Sequence, residues 1–278
     1  MSKRARRVTT RGSNGAAGGN GSAAATNGAG AASLVSATAP VVSRPARQTA
    51  GDQAEEAVFE AIMDGKIPPG SPLRLQELAE QLGMSIMPVR EALRRLEGLG
   101  LVEIVAHKGA WVRPLTLEDL HDTYFTRVNL ECLAMRTAAG RMTEQDSAAA
   151  RAALDEHVAA RERGDQVGAR NAHERFHFTM YRACGSEWLV RSIGPAWRNS
   201  ERYRVESMRN PEHVARRGQE HLQMLEALEQ GDAERAVELL ASHLLSSVEL
   251  VAAGLEGDPA ATRVRLPSLD ALLPRGSA

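Results

Sequence analysis

The chain has 278 residues, of which 43% are hydrophobic and 25% are charged, and its formal net charge is −1. This length and apolar content suffice for one or two hydrophobic cores, so we expect two compact domains with tails. Cys132 and Cys184 are too few for a disulfide framework or a zinc ribbon and are predicted to be reduced core thiols. The basic start lacks the apolar stretch of a secretory signal, and no apolar run approaches the roughly 20 residues of a membrane span. We therefore expect a cytoplasmic protein without a membrane segment.

The first 51 residues differ in composition from the rest of the chain. They contain seven Lys and Arg and no acid, which leaves a net charge of −8 on the remainder. They are rich in Gly, Ala, Ser, Thr and Asn, so they cannot bury enough surface to order themselves, and residues 1–51 are predicted to be a disordered basic tail. The cluster K-R-A-R-R either adds non-specific attraction to DNA or has no role, and the sequence leaves both open.

Three short helices are predicted next. The first covers residues 53–63 and ends at the breakers D-G-K-I-P-P-G. The second covers residues 73–83, and the third covers residues 85–99 with Ser85 as its N-cap and apolar residues at spacings of three and four. The turn at Gly83 joins the last two helices, and this pattern predicts a helix-turn-helix.

The third helix presents a cationic face formed by Arg90, Arg94 and Arg95. Guanidinium groups on such a helix can read phosphates and guanine edges in a major groove. The alternative is that they pair with Glu91 and Glu97 on a solvated face. Because the helix lies second in a helix-turn-helix, we favour the contact with DNA.

Two apolar runs follow, over residues 101–105 and 110–112. They predict a small hairpin, or wing, whose tip consists of His107, Lys108 and Gly109. Residues 52–114 thus form a complete small domain. The linked motifs G-K-I-P-P-G-S-P-L, L-A-E-Q-L-G-M-S-I-M-P-V-R-E-A-L-R-R-L-E, G-L-V and K-G-A-W-V resemble the winged helix-turn-helix of GntR-type bacterial transcription regulators.

The resemblance implies DNA contacts at Ser85, Arg90 and the wing tip, and Arg94 on the same helix face is included with them. One position departs from the family pattern. After the N-cap Ser the family usually places Arg, whereas this chain has Ile86. This residue should therefore weaken or alter the recognition of DNA at that point.

Residues 115–254 are predicted to be an all-α domain, because long amphipathic stretches replace the short elements and no strand pattern appears. Helices are expected over residues 117–139, 143–163, 166–183, 186–208, 211–229 and 232–253. The fourth of these is expected to be interrupted at Gly194 and Pro195. Residues 255–278 are Pro-rich and are predicted to be a flexible tail. The fold class is therefore mainly α, a winged helix-turn-helix followed by an α-helical bundle.

Four histidines occupy positions that helical geometry can bring together. His173 and His177 are four residues apart on one helix and share a face. His221 lies ten residues before Gly231 and His243 twelve residues after it, so the two are level across a helical hairpin. Imidazoles in two facing pairs suit Zn²⁺, Ni²⁺ or a similar divalent ion. The other histidines show no such coincidence and are expected to be ordinary polar positions: His107, His121, His157 and His213.

The sequence H-E-R-F-H at residues 173–177 also satisfies the zincin pattern, in which Glu174 would be a general base. The metzincin extension is missing, and no strand is available to bind an extended substrate. We therefore expect no enzyme, and a zinc-dependent hydrolase is the unlikely alternative.

The helical part resembles the all-α ligand-binding (FCD) domain of the FadR-like branch of the same regulators, on the pieces L-T-L-E-D-L, R-V-N-L-E, F-H, E-H-x-x-x-L-E-A-L and G-D-A-E-R-A. The resemblance implies a metal site in which His177, His221 and His243 match directly. His173 departs from it, since that branch has Asp at this position. Arg127 aligns with an arginine of the effector pocket and either clamps a carboxylate or pairs with Glu131.

These observations predict a sequence-specific transcription regulator, expected to be a repressor. Its partners are a pseudo-palindromic double-stranded DNA operator, a second copy of the chain in a homodimer, and a small organic acid that completes the metal's coordination shell. The alternative is a metal-responsive regulator in which the ion itself is the signal.

Overall fold

The computed structural model describes residues 48–208 and 210–256. Within these residues the chain forms two successive blocks. The N-terminal block contains α1 Ala50–Met63, β1 Pro72–Leu73, α2 Leu75–Leu82, α3 Ile86–Gly98, β2 Val102–Val105 and β3 Gly109–Val112. The helical block contains α4 Leu117–Ala138, α5 Glu144–Glu162, α6 Gln166–Arg182, α7 Glu187–Ser207, α8 Pro211–Glu229 and α9 Ala233–Glu256.

The N-terminal block is a winged helix-turn-helix. Gly83 ends α2 with φ +62°, a left-handed conformation that glycine adopts without strain, and the chain then turns directly into α3. The wing is the antiparallel pair β2 and β3, in which Val102 lies opposite Val112. The short strand β1, which the sequence analysis missed, pairs with the other edge of β3 and completes a sheet of order β1-β3-β2. The apolar core of this block is formed by buried residues of α1, α2, α3 and the sheet, among them Phe59 and Leu96.

The helical block is a bundle around an apolar core. Its α4 packs against α7 and α9, and α5 packs along α6. Capping fixes the helix starts: the side chain of Thr143 accepts from the backbone of Asp146, whose carboxylate accepts from Thr143 in return. Cys132 and Cys184 are buried free thiols, as predicted, and burial raises the pKa of Cys132 to about 12.

The predicted interruption of the fourth bundle helix is wrong. Helix α7 runs continuously through Gly194 and Pro195. The Pro195 ring is exposed, so it projects to the solvent side, where a helix tolerates a missing hydrogen bond by bending slightly. Other boundaries also move. Helix α2 begins at Leu75 and not at residue 73, because Leu73 lies in β1, whereas α1 begins at Ala50 and α9 continues to Glu256, within the segments assigned to the tails. The rest of those predicted tails, residues 1–47 and 257–278, lies outside the described residues.

Helix α9 is long and apolar enough to cross a membrane by length and composition alone, over Ala233–Leu255. More than half of its most apolar 18-residue window, 56%, is buried inside the bundle. Its apolar character is therefore explained by its place in the core, where it packs on α4 and α8.

Helix α7 connects the two blocks. The guanidinium of Arg198 lies 4.7 Å from the ring centroid of Phe59 in α1, and the backbone of Arg113 accepts a 2.9 Å hydrogen bond from Arg202. From α6, Arg170 forms an ion pair with Glu60 of α1. The bundle and the winged helix-turn-helix are thus tied through named side chains of α1, α6 and α7.

Candidate functional site

Four imidazoles from three helices converge in the helical block. They are the side chains of His173 and His177 on α6, His221 on α8 and His243 on α9, and all four are buried. One potential ligand atom from each lies within 4.8 Å of the others. The Nε2 atoms of His177 and His221 are 3.2 Å apart. The structure therefore brings together all four residues that the helix arithmetic selected.

This cluster fits a divalent ion. In a tetrahedral site with Zn–N bonds of about 2.0–2.1 Å the donor atoms lie roughly 3.4 Å apart, and the Nε2 atoms of His177 and His221 are already close to that spacing. The Nδ1 atoms of His173 and His221 are buried without a hydrogen-bond partner in the described part of the chain. A bound cation would accept a lone pair from one ring nitrogen of each imidazole.

The protonation state of the cluster also suits a metal. Burial is the largest cause that lowers the pKa of each of the four histidines well below its usual value. For His177 and His243, nearby arginine and histidine charges lower the pKa further. The imidazoles are therefore neutral near pH 7, which is the form that binds metals.

Buried polar contacts orient two of the candidate ligands. His243 Nδ1 lies 2.8 Å from a carboxylate oxygen of Glu220. His177 Nδ1 lies 3.2 Å from the hydroxyl of Tyr181, which donates to Glu131 over 2.6 Å. Both contacts leave Nε2 free to face the centre of the cluster. A carboxylate behind a ligating histidine is the usual outer contact of a metal site, and the sequence analysis had not identified Tyr181 or Glu220.

Arg127 pairs with Glu131, which is one of the two alternatives that the sequence left open. Its Nε and Nη2 donate to the two carboxylate oxygens at 2.6 and 3.1 Å, and Nη1 donates to Ser200 at 2.9 Å. The guanidinium also lies 4.6 Å from the ring centroid of Trp197. The carboxylate clamp predicted for Arg127 would have to share these donors.

A second buried arginine stands beside the histidines and was missed by the sequence analysis. Arg217 lies one helical turn before His221 and donates to His213, to the backbone of His243 and to Ser247. The nearest carboxylate, that of Glu220, is 3.9 Å away. Burial lowers the pKa of Arg217 to about 10. The only sequence signal was its spacing of four residues from His221.

His157 also belongs to this region, so its assignment as an ordinary polar position is wrong. Its buried ring lies 5.3 Å from that of His173, and its Nδ1 donates to the backbone of Ala169 over 2.8 Å. The sequence could not show this because the proximity depends on how α5 packs against α6. Of the others, His213 is buried against Arg217, whereas His107 is exposed and His121 is half-buried.

Glu174 is not placed to act as a general base for the cluster. Burial raises the pKa of its carboxyl, and the charges that act on it are those of Arg198, Glu201, Glu56 and Arg182. Three of these belong to α7 and α1, so Glu174 lies near the junction between the blocks. The H-E-x-x-H pattern thus supplies two imidazoles on one helix face and no adjacent base.

A groove of about 610 Å³ in the N-terminal block lies between α3 and the wing. It is lined by five of the six residues predicted to contact DNA: Arg90, Arg94, His107, Lys108 and Gly109. The tip is tightly turned, since His107 has φ +62° and Gly109 has φ +121°. Neither Arg90 nor Arg94 forms an ion pair with a described residue. Nη1 of Arg90 donates only to the sulfur of Met87, over 3.8 Å, so both guanidinium groups line the groove without a carboxylate partner.

Three nearby residues differ from the sequence expectations. Ser85 is the N-cap of α3 in position, but its exposed hydroxyl makes no capping bond among the described residues. Arg95 turns away from the groove and pairs with Asp52 at 2.5 Å and Glu55 at 3.4 Å, both in α1. Ile86 is 38% exposed at the start of α3, where it leaves an apolar surface.

Two family models match the chain over the blocks described above. Residues 50–112 match the bacterial regulatory proteins of the gntR family, and residues 122–246 match the FCD domain. The chain belongs to the GntR family of bacterial transcription regulators, in the group that carries a C-terminal FCD domain. It is a regulator and not an enzyme, and its fold class agrees with the sequence prediction.

Individual relatives and a solved structure support this assignment. The chain is 31% identical to the uncharacterized HTH-type transcriptional regulator BphR of Paraburkholderia xenovorans, over 70% of this chain and 84% of that one. It is also 31% identical to the probable D-xylose utilization operon transcriptional repressor of Paenarthrobacter nicotinovorans, over 79% and 96%. Among solved structures, Escherichia coli McbR/YncC matches with 25% identity and a TM-score of 0.65, over 76% of this chain and all of that one.

Proposed function

We propose that this chain is a cytoplasmic transcription repressor that binds a pseudo-palindromic operator as a homodimer. We further propose that a small carboxylate, held at a divalent metal centre, modulates this binding. The observation that carries the proposal is the convergence of four buried neutral imidazoles, with ligand atoms within 4.8 Å, in the domain that follows the winged helix. Two of the relatives, those from Paenarthrobacter nicotinovorans and the GlaR protein of Escherichia coli, are named repressors.

On the DNA side, α3 enters the major groove and the wing tip follows the backbone. Arg90 and Arg94 are the base and phosphate contacts of the helix, and Ser85 adds a hydroxyl at its start. His107, Lys108 and Gly109 form the wing contact. Because one winged domain contacts few base pairs, two copies on a symmetric site supply the required specificity.

On the sensor side, His173, His177, His221 and His243 hold the ion, and imidazole ligands favour Zn²⁺ or Ni²⁺. A bound ion would supply a positive charge, and an anionic oxygen would join the four imidazoles by raising the coordination number above four. Four neutral imidazoles leave its charge of +2 uncompensated, so a carboxylate gains attraction there that an Asp at position 173 would have reduced. Arg127 is the proposed second contact of that carboxylate.

Helix α7 provides a route from the sensor to the DNA-binding block. The ring of Trp197 stacks on His173 with centroids 5.4 Å apart and lies 5.1 Å from His177. The next residue, Arg198, covers Phe59 of α1. A change in the position of α6 relative to α7 would therefore move α1 and, with it, the orientation of α3.

The test is operator binding by fluorescence anisotropy, with the operator obtained by selection from random duplexes. Zinc-loaded and EDTA-treated protein are each titrated with DNA in the presence and absence of candidate carboxylates. We expect sequence-specific binding that changes with carboxylate only in the loaded protein. Equal affinity for every duplex at moderate salt would refute the regulator, and equal carboxylate effects with and without zinc would remove the metal from the mechanism.

The alternative, in which the ion alone is the signal, has one observation in its favour. The cavity next to the cluster, lined by His173, His221, His243, Arg127 and Arg217 among others, has a volume of about 20 Å³. As it stands, this space holds an ion or a water molecule, and a carboxylate would reach the ion only if neighbouring side chains moved. In this case operator affinity would follow the zinc concentration in buffers without any carboxylate.

A further inference from the structure

A larger cavity, the interblock chamber, lies between the DNA-binding block and the bundle. It is lined by the end of α1 with Met63 and Asp64, by the α5–α6 turn with Arg161 and Val167, and by the end of α7 with Arg204 and Val205. Its volume is about 660 Å³, within the range of small-molecule sites. A molecule in this chamber would touch both blocks at once.

The chamber adjoins the histidine cluster. His157, Arg204 and Met208 line both the chamber and the small cavity of about 20 Å³ beside the cluster. The ring of His157 stands 5.3 Å from His173 and 6.4 Å from His221. These three shared side chains therefore form the partition between a space that fits an organic molecule and a space that fits only an ion.

Most charges around the chamber already have partners. Arg170 is paired with Glu60, and Arg204 holds Glu201 through two bonds of 2.8 and 2.6 Å. The carboxylates also have partners. Asp165 accepts a hydrogen bond from the backbone N–H of Gly168 at the start of α6, and Asp64 forms an ion pair with Lys66.

Arg161 is the exception among the charged groups of the chamber. It has no carboxylate partner among residues 48–208 and 210–256. Burial, and next the charge of Arg204, lower the pKa of its guanidinium, and neither Asp64 nor Asp165 of the lining pairs with it. An anion bound beside it would relieve both costs.

We propose that the interblock chamber is the binding site of a small organic acid, whose carboxylate is held by Arg161 and whose apolar part contacts Met63, Val205 and Met208. This is a second anion site, separate from the metal centre at which the proposed function places the effector carboxylate. It goes beyond the proposed function, since it requires neither the ion nor the small cavity beside the histidines. By bridging α1 to the α5–α6 turn, the bound acid fixes the orientation of the winged helix-turn-helix relative to the bundle.

The test uses acetate, lactate and benzoate as probes, each beside its neutral counterpart acetamide, lactamide or benzamide. Calorimetric titrations are run on the full chain after EDTA treatment and after zinc loading. We expect at least one carboxylate to bind more tightly than its amide in both forms. The variant Arg161→Gln should lose that difference by at least tenfold, and Arg161→Lys should retain part of it.

The matched control is Arg163→Gln, two residues further along the same turn. Arg163 is an exposed arginine that pairs with Glu156 and does not line the chamber. The Arg163→Gln variant loses the same charge as Arg161→Gln, so its carboxylate affinity should equal that of the unmodified protein. Melting temperatures of the three variants confirm that each is folded.

The remaining outcomes separate this inference from the proposed function. If no carboxylate binds more tightly than its amide, or if Arg161→Gln binds as the unmodified protein does, the chamber is refuted. If carboxylate affinity instead requires zinc and is lost only in His221→Ala, the result supports the effector at the metal centre and refutes the chamber as a binding site. If Arg161→Gln abolishes binding while operator affinity never responds to the carboxylate, the chamber is an acid-binding site, and the inferred effect on the orientation of the winged helix-turn-helix is refuted.

Discussion

The Nε2 atoms of His177 and His221 lie 3.2 Å apart in the interior of the bundle. The hydroxyl of Tyr181 donates to Glu131, so the proton of His177 must lie on Nδ1, where it faces Tyr181, and its Nε2 carries a lone pair. Without a metal, His221 must then turn its own proton towards His177, and its Nδ1 stays without a partner. With a metal, both Nε2 lone pairs would bind the ion and the proton of His221 would move to its Nδ1, so two coordination bonds would replace one hydrogen bond between imidazoles.

The first prediction is that His221→Ala lowers metal affinity. Substitutions of residues that hydrogen-bond to metal ligands lower metal affinity by roughly 10- to 100-fold. The loss in His221→Ala should be larger, because a ligand itself is removed. Binding of Co²⁺, followed by its visible absorption band, measures the affinity. The melting temperature should rise with zinc in the unmodified protein and rise much less in the variant.

The control for this variant is His121→Ala, which removes an imidazole that lies outside the cluster. It should bind Co²⁺ as the unmodified protein does. Equal Co²⁺ affinity of His221→Ala and His121→Ala would contradict a site built from the four histidines.

The second prediction concerns the ion pair behind the cluster. Glu131 is fully buried and accepts from Arg127 and Tyr181. Glu131→Gln leaves the guanidinium of Arg127 buried without a counter-charge, which should cost about 3–5 kcal/mol of the free energy of unfolding. Urea denaturation measures it, and Glu118→Gln, at an exposed position in the first turn of the same helix, should change it by less than about 0.5 kcal/mol.

The double variant Arg127→Met with Glu131→Leu separates a charge effect from a packing effect. Removing both charges with side chains of similar size should restore most of the stability, since buried pairs are often neutral relative to apolar replacements. A double variant that is as unstable as Glu131→Gln would show that shape, and not charge, explains the loss.

The sequence predicted most of the fold because helix periods and caps are local. The helix-turn-helix, the wing and the six bundle helices all follow from spacings within single segments, and so does the pairing of His221 with His243 across one hairpin. The approach of His157 to His173 could not be predicted, because it depends on how α5 packs against α6. The pairing of Arg95 with Asp52 likewise depends on α1 crossing α3, 43 residues away in sequence.

Pro195 shows the opposite failure, in which a local rule was applied too strongly. A proline usually ends a helix because it removes a hydrogen bond and its ring crowds the preceding turn. Here the ring faces solvent, and the helix on both sides is held by buried residues such as Ile193 and Trp197. Tertiary packing therefore outweighs the local cost.

The third prediction is that Arg90→Ala weakens operator binding. Arg90 is exposed, has no described ion-pair partner and lines the groove between α3 and the wing. Loss of a guanidinium that contacts a base should cost about 1–3 kcal/mol and relax the preference at that base pair. Anisotropy titrations with the selected operator and with single-base variants measure both effects.

An arginine far from the groove provides the control for Arg90→Ala. Arg191 is exposed on α7 and pairs only loosely with Glu187, at 3.8 Å. Arg191→Ala removes one positive charge without touching the groove, so its operator affinity should stay unchanged. If Arg90→Ala also left the affinity unchanged, α3 would not be the recognition helix.

The fourth prediction concerns pH and rests on His213. Its Nε2 accepts a 2.9 Å hydrogen bond from Nε of Arg217, so the imidazole must be neutral. Burial, followed by the charge of Arg217, lowers its pKa to about 4, whereas the unfolded chain takes up this proton near pH 6.5. The stabilisation is therefore complete above about pH 6.5 and is lost as the pH falls towards 4, because the unfolded state gains the proton first.

The variant His213→Gln tests this dependence, since its amide oxygen can still accept from Arg217 but does not titrate. The melting temperature of both proteins is measured between pH 7.5 and 4.5 after EDTA treatment, which removes the effect of metal release. Other buried histidines titrate in both proteins, so the difference between the two curves isolates His213. That difference should shift in favour of the variant as the pH falls below about 6.5. Parallel curves over the whole range would show that His213 is not held neutral in the folded state.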